Sequence, residues 1–335
     1  MDGLGENGAL ERYLDDHGLG RGPVSGHRIG DGASNLTYLV QRDGTRVVLR
    51  RPPPPPLPPS AHDMVREARI QEGVARGGVR VPRILAVCED EDVLGQPFYV
   101  MEEIPGVVVS DALPDDIDAP EERERLGREV VDGLVELHAV DWRACGLEGL
   151  GKPTGFLERQ IRRWSGLWEV NATRELPAAV EVGEQLKAAM PESPPSTVVH
   201  GDYRLGNLMV EADAPARLAA ILDWELATIG DPLADLGYLV VTWSEPGAAE
   251  HPLLLSPVTA QPGFLSRAQL VERYAERTGR DVARLDWYEA FSLWKGAVFC
   301  EALYGRHLRG EHEDPWAAAL EDGVPRLLDV AGTYL

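Results

Sequence analysis

Residues 198–210 read VVHGDYRLGNLMV. A histidine, an aspartate, an arginine and an asparagine fall within positions 200–207, between two apolar runs. The pattern predicts a short strand, a polar loop and a second short strand. A loop this polar either caps its own backbone, as Asp and Asn often do, or carries chemistry.

The residues downstream favour chemistry. Asp202 and Asn207 stand five residues apart, and Asp223 closes the apolar run AAILDWE. Phosphoryl transfer needs such a trio. One carboxylate orients a hydroxyl and accepts its proton, while a second carboxylate and an amide oxygen hold a magnesium ion. No Cys/His cluster suggests zinc. Alone, the Asp-x4-Asn spacing reads as turn capping. The order of a glycine loop, His200, Asp202, Asn207 and Asp223 makes it a candidate site.

Composition narrows the partners. Of 335 residues, 44% are hydrophobic, and the net charge is −22. That length predicts two domains or one bilobal unit. The acidic field disfavours nucleic acid. It would attract a cationic small molecule, whereas a nucleotide needs local basic groups and a metal to offset it. No run approaches the ~18 apolar residues of a membrane span, and the acidic start lacks a signal peptide's basic region. Three scattered cysteines suit a reducing cytoplasm. The expectation is a cytoplasmic protein, a monomer or homodimer, without membrane or nucleic-acid partners.

The first hundred residues read β-β-β-α-β-β. LTYLVQRDG and TRVVLRR form a hairpin, and SAHDMVREARIQEGVARGG reads as a helix, with Ser60 or Asp63 as its cap and Gly77–Gly78 at its end. RVPRILAVCED and PFYVMEEIPG come next as strands around the turn DEDVLGQ. The tract RPPPPPLPPS at 51–60 reads as a rigid loop of polyproline type. Beyond EEIPG the texture becomes helical. Leu126, Val130, Leu134 and Leu137 form one stripe, and helices are expected at 156–170, 176–190, 266–278, 284–306 and 316–330. The division is thus 1–104, a sheet with one helix, and 105–335, mainly helices: an α+β chain.

In HGDYRLGNLMV followed by ILDWELATIGDPLADLGYL, the chain resembles the aminoglycoside phosphotransferase-like (protein-kinase-like) family. The similarity is to the branch related to the kinase-like domains of acyl-CoA dehydrogenase fusion proteins. The resemblance implies a bilobal protein-kinase-like fold and an ATP- and Mg2+-dependent small-molecule kinase. Asp202 would be the catalytic aspartate, Asn207 and Asp223 the magnesium ligands, and His200 a brace for the loop. Asp235 would accept hydrogen bonds from the loop backbone, or cap a helix, or both. In place of the strand lysine of protein kinases, VVLRR offers Arg50, whose fork suits phosphate. Strand alternation prefers Arg50 to Arg51. Its partner would be Glu67, with Glu72 the weaker choice. Ser34 and Asn35 could cradle phosphate oxygens, Met101 would line the adenine pocket, and the Glu102 carbonyl and Ile104 amide would bind the adenine edge.

The acceptor is less legible. Arg159, Arg163 and Trp164, with Arg162 beside them, and Arg204 in the loop, could meet an anionic acceptor such as a hydroxyacyl-CoA. Core packing and helix ion pairs explain them equally simply. Glu311, Glu313 and Asp314 could instead serve a polycationic aminoglycoside, or form a solvated loop. A kinase-shaped nucleotide-binding pseudoenzyme is a further alternative, favoured by the missing lysine and disfavoured by the intact trio.

Overall fold

The computed structural model describes residues 4, 8–30, 35–55, 62–311 and 314–335. The chain forms two compact units. The first comprises Met1–Pro105, Asp141–Glu148 and Ala219–Ala227; the second comprises Gly106–Val140, Gly149–Leu218 and Thr228–Leu335.

In the first unit, helix α1 (Ala9–Asp16) precedes strands β1 (Ser25–Ile29), β2 (Leu36–Arg42) and β3 (Thr45–Arg51). Next come helix α2 (Met64–Arg76), β4 (Ile84–Cys88), the single turn α3 (Glu91–Leu94) and β5 (Phe98–Glu102). The strands make one antiparallel sheet in the order β1-β2-β3-β5-β4. Directly paired residues share a face. Leu39, Val48 and Met101 are in register, and one step on so are Thr37, Arg50 and Tyr99. This face packs on Met64 and Ala68 of α2. The opposite face, with Val40, Val47, Leu49 and Val100, packs on Leu10 and Leu14 of α1. Neither α1 nor α3 was predicted.

Asp63 caps α2 by accepting the Arg66 amide at 2.9 Å; Ser60 and residues 56–59 of the proline tract lie outside the described residues. The segment 141–148 docks on α2. A Cβ at Gly73 would strike Leu147, and Arg76 donates to the Cys145 carbonyl at 2.9 Å.

The second unit begins with β6 (Val107–Val108) and α4 (Pro120–His138), whose predicted stripe is fully buried. Helices α5 (Phe156–Asn171) and α6 (Pro177–Ala188) lead to β7 (Thr197–Val199) and β8 (Leu208–Val210). Strand β9 (Leu218–Ile221) runs out of this unit into the first, and β10 (Thr228–Gly230) returns to pair antiparallel with β7. Helices α7 (Leu233–Thr242), α8 (Arg267–Thr278), α9 (Leu285–Leu308) and α10 (Pro315–Gly332) complete it. Sequence reading reached α7 only through Asp235 as a possible cap, because a helix this apolar shows no helical periodicity. The fold is α+β, as the resemblance implied. Among the described residues no helix is long and apolar enough to cross a membrane. All three cysteines are free and buried.

Gly237 of α7 lets α9 approach closely, since a Cβ there would lie 2.8 Å from Tyr288 atoms. Alanine gains about 1 kcal/mol in helix propensity, but overpacking costs about 1–3 kcal/mol. Gly237→Ala is therefore expected to lower the urea midpoint at unchanged m-value.

Candidate functional site

Two constellations carry the predicted residues, one in each unit. In the first, Arg50 projects from β3 toward α2. Its Nε lies 3.0 Å from Glu67 Oε1, and its Nη2 donates to Asp223 Oδ1 at 2.7 Å. The Glu67 contact is an ion pair off the hydrogen-bond axis, since Nε finds no in-line acceptor. Arg51, one step along, faces the other side of the sheet and donates to the Leu94 carbonyl at 3.1 Å. Glu72 is exposed, whereas Glu67 is 1% exposed. Strand alternation accounts for the opposite facing of Arg50 and Arg51; Glu67 and Glu72 differ in which side of α2 they occupy.

Asp223 sits at φ 64°, a left-handed conformation uncommon for a non-glycine residue. The surrounding turn is held from several sides. Ile221 N–H donates to the Arg80 carbonyl at 2.8 Å, Trp224 Nε1 to the Ile221 carbonyl at 3.1 Å, and Arg66 of α2 to the Glu225 and Ala227 carbonyls. Tyr99 donates its hydroxyl to Glu67 at 3.1 Å. Burial pushes the Glu67 carboxyl up to about 7; Arg50 opposes this, and Asp223 and Glu225 add to it. Burial likewise opposes the Arg50 charge, but Glu67, Tyr99, Asp223 and Glu225 together hold its pKa above the ordinary value.

Asn35 requires a correction. Its amide is 4% exposed, donates to Glu67 and Glu225 at 3.3 Å each, and its oxygen bonds His62 at 2.8 Å. With each side-chain polar atom engaged, it braces the carboxylates rather than presenting its side chain to phosphate. Ser34 lies outside the described residues. Met101 packs in the apolar layer between sheet and α2. Glu102 ends β5 and its carboxylate accepts the Arg83 amide at 2.9 Å; Ile104, past the strand, is half-buried.

In the second unit, the loop between β7 and β8 is fixed from within. Asp235, in the first turn of α7, accepts the His200 amide at 2.7 Å and the Gly201 amide at 2.8 Å. It is not the helix cap: Pro232 occupies that position, and Asp231 accepts the Leu233 amide. Burial works against the Asp235 charge, yet His138, His200 and the Gly201 amide hold its pKa below the usual value. His200 is fully buried, and its Nδ1 accepts the Asp202 amide at 3.3 Å. Tyr203 anchors the loop to α4 through the Val130 carbonyl at 2.7 Å.

Asp202 emerges with a quarter of its side chain exposed. Asn207 Nδ2 donates to the Asp202 carbonyl at 2.9 Å and to its Oδ2 at 2.7 Å. Both amide hydrogens are thereby used, leaving the Asn207 oxygen as a ligand. Arg204 pairs with Asp202 Oδ1 at 3.4 Å and folds over Gly206, whose missing side chain leaves room for it. Tyr238 of α7 brings its phenol to the same carboxylate; burial first, then Asp202, raises its pKa. Arg159 turns away from this loop, donating to the Thr154 and Lys152 carbonyls, so it closes the entry to α5 instead of reaching for an acceptor. Trp164 is half-buried, with Arg163 beside its ring at 6.0 Å. Glu311 pairs with Arg309 and Asp314 caps α10, while Glu313 lies outside the described residues. Sequence reasoning passed over Tyr238, Glu225, Arg66 and Lys295; only Glu225, adjoining the Asp223 motif, carried a signal.

The model of the family described as "Phosphotransferase enzyme family" matches residues 25–288. Acyl-CoA dehydrogenase family member 10 of Mus musculus is 33% identical over 311 residues, covering 90% of this chain and 28% of that protein. Family member 11 of Gallus gallus is 32% identical over 318 residues, covering 91% and 40%. The chain therefore spans well under half the length of these relatives. A Ralstonia eutropha structure provisionally named an aminoglycoside phosphotransferase is 31% identical, with a TM-score of 0.84 over 98% of both chains.

Replacing Asp235 by Asn keeps the shape but removes the charge that holds two amides. The expected loss is about 2–4 kcal/mol in denaturant unfolding. His138 adds a pH signature. Burial, against Asp235, holds its pKa below the ordinary value. The folded form thus resists a proton that the unfolded chain takes up near pH 6.5. The stability it contributes is present above about pH 6.5 and is lost as pH falls. The Tm advantage of wild type over His138→Gln should shrink between about pH 7.5 and 5.5.

Proposed function

The chain belongs to the phosphotransferase enzyme family, and from that premise we propose that it is an ATP-dependent small-molecule kinase acting on a hydroxyl. The observation that carries this reading is Asp202: part-exposed, oriented by Asn207, and backed by a loop with every element tied down. Asp202 accepts the proton of the acceptor hydroxyl. The hydroxyl oxygen forms a bond to the γ-phosphorus, and ADP leaves with the electron pair of the broken bond. Arg50 holds phosphate oxygens bidentately, with Glu67 as its counter-charge.

The donor set suits magnesium. The Asn207 amide oxygen and the Asp223 carboxylate, 30% exposed, are each a donor type that magnesium accepts, and on the kinase reading they would be its ligands. Magnesium takes few protein oxygens and keeps waters and phosphates as its other ligands. When bound, the ion neutralises charge on the phosphates.

A hydroxyacyl-CoA-type metabolite is the acceptor we favour, supported by relatives named as acyl-CoA dehydrogenase family members. An aminoglycoside acceptor is less well supported, because Glu311 and Asp314 are already engaged by Arg309 and by a helix end. The pseudoenzyme alternative loses its main support, since the arginine that replaces the strand lysine makes the ion pair expected of it.

Asp202→Asn is expected to reduce transfer by at least about 10^3-fold, a loss of roughly 4 kcal/mol, with nucleotide affinity nearly unchanged. Asp223→Asn should weaken Mg·ATP binding itself, read by calorimetry. Loss of nucleotide binding in Asp202→Asn would make that residue structural, and absence of nucleotide binding in the wild type would remove the kinase reading.

A further inference from the structure

Helix α9 carries a lysine for which the chemistry above has no use. Lys295 is the charged position in a stretch where Phe291, Leu293, Trp294, Ala297 and Val298 are all buried. Its ammonium lies 5.4 Å from the centroid of the Trp164 ring on α5 and 5.4 Å from that of Phe291. Burial pushes the Lys295 pKa below its ordinary value and Arg163 adds to this, while the Asp235 and Asp202 carboxylates oppose it. It therefore belongs to the surroundings of the loop that presents Asp202.

Its partners are incomplete. Aromatic faces hold a cation without neutralising it. Among the described residues, no carboxylate lies within ion-pair distance of the Lys295 ammonium; Asp202 pairs with Arg204 and Asp235 with the loop amides and His138. Arg163 brings a second cation to the same indole, 6.0 Å from the ring. Two cations from two helices thus converge on one tryptophan. Like charges brought together in this way repel, and an anion between them removes the repulsion. The protein as a whole is strongly acidic, at −22, so a local pair of unneutralised cations is not a by-product of composition.

We propose that Lys295 and Arg163 form an anion subsite beside Trp164, so that the acceptor carries a carboxylate or phosphate group. This rests on the kinase reading for its reaction, but not for its binding. Lys295 makes and breaks no bond; it holds the acceptor by charge, with Trp164 as the floor beneath the ammonium. The same arrangement rejects an amine at that position, which is the polarity opposite to the one an aminoglycoside requires.

Four congeners on one skeleton test this with the full chain: glycerate, glycerol 3-phosphate, glycerol and serinol. Calorimetry reads binding, and ADP formation with Mg·ATP is followed in parallel. Either anionic congener should bind at least about tenfold more tightly than glycerol, with serinol weakest. Which anion leads identifies carboxylate or phosphate as the group. Lys295→Met should remove that preference and raise the acceptor KM about tenfold or more, leaving kcat and the KM for ATP within about threefold. Lys295→Arg, which keeps the charge, should retain the preference and controls for misfolding. Equal binding of charged and neutral congeners, or an anion preference that survives Lys295→Met, overturns the proposal. Anion preference without any nucleotide binding would leave the subsite standing and remove the kinase reading instead.

Discussion

One buried carboxylate, Asp235, sets the geometry of the loop on which the second unit's chemistry is built. Removing an aspartate from water costs several kcal/mol. Two backbone amides and His138 offset that cost, each charge-assisted bond contributing about 1.5–3 kcal/mol. The bonds fall on His200 and Gly201, the two residues just before Asp202. The turn there needs φ 85° at Gly201, which a side chain would resist. Once the amides are pinned, the His200 ring takes the Asp202 amide and Asn207 takes its carboxylate. Little freedom remains at the one group that faces outward.

The first unit is organised on a different balance. A single guanidinium, that of Arg50, serves Glu67 and Asp223 directly and Glu225 at longer range. Tyr99 and Asn35 add hydrogen bonds but no charge. Burial is what raises the Glu67 carboxyl to about 7; Arg50 opposes it, and Asp223 and Glu225 add to it. On the kinase reading, Asp223, the more exposed of the two carboxylates paired with Arg50, would be the one to hold a magnesium ion.

The legible parts of the chain were those governed by local pattern. The α4 stripe, the β2–β3 hairpin and the preference for Arg50 over Arg51 come from periodicities of 3.6 and 2. The role of Asp235 came from the family resemblance, and the alternative of a helix cap failed because Pro232 starts the helix instead. Asn35 was misjudged because its neighbours Glu67 and Glu225 lie 32 and 190 residues away in sequence. Arg159 was grouped with Arg163 on composition, although a guanidinium next to a helix start finds free carbonyls there. Lys295 carried no local signal at all, since an isolated lysine in an apolar helix has meaning only through what faces it.

The path of the chain through the first unit has a consequence for its inheritance. The sheet and α2 are encoded before residue 105, but the segment bearing Asp223 returns only at Ala219–Ala227, and Asp141–Glu148 covers α2 in between. A fragment ending at 105 would leave Arg66 and Arg76 without the carbonyls they hold and Arg50 with half its counter-charge. The Arg50 cluster is thus not a transferable cassette. A cut anywhere between residues 105 and 219 would divide it, and the relatives' matches run across that region, covering 90% and 91% of this chain.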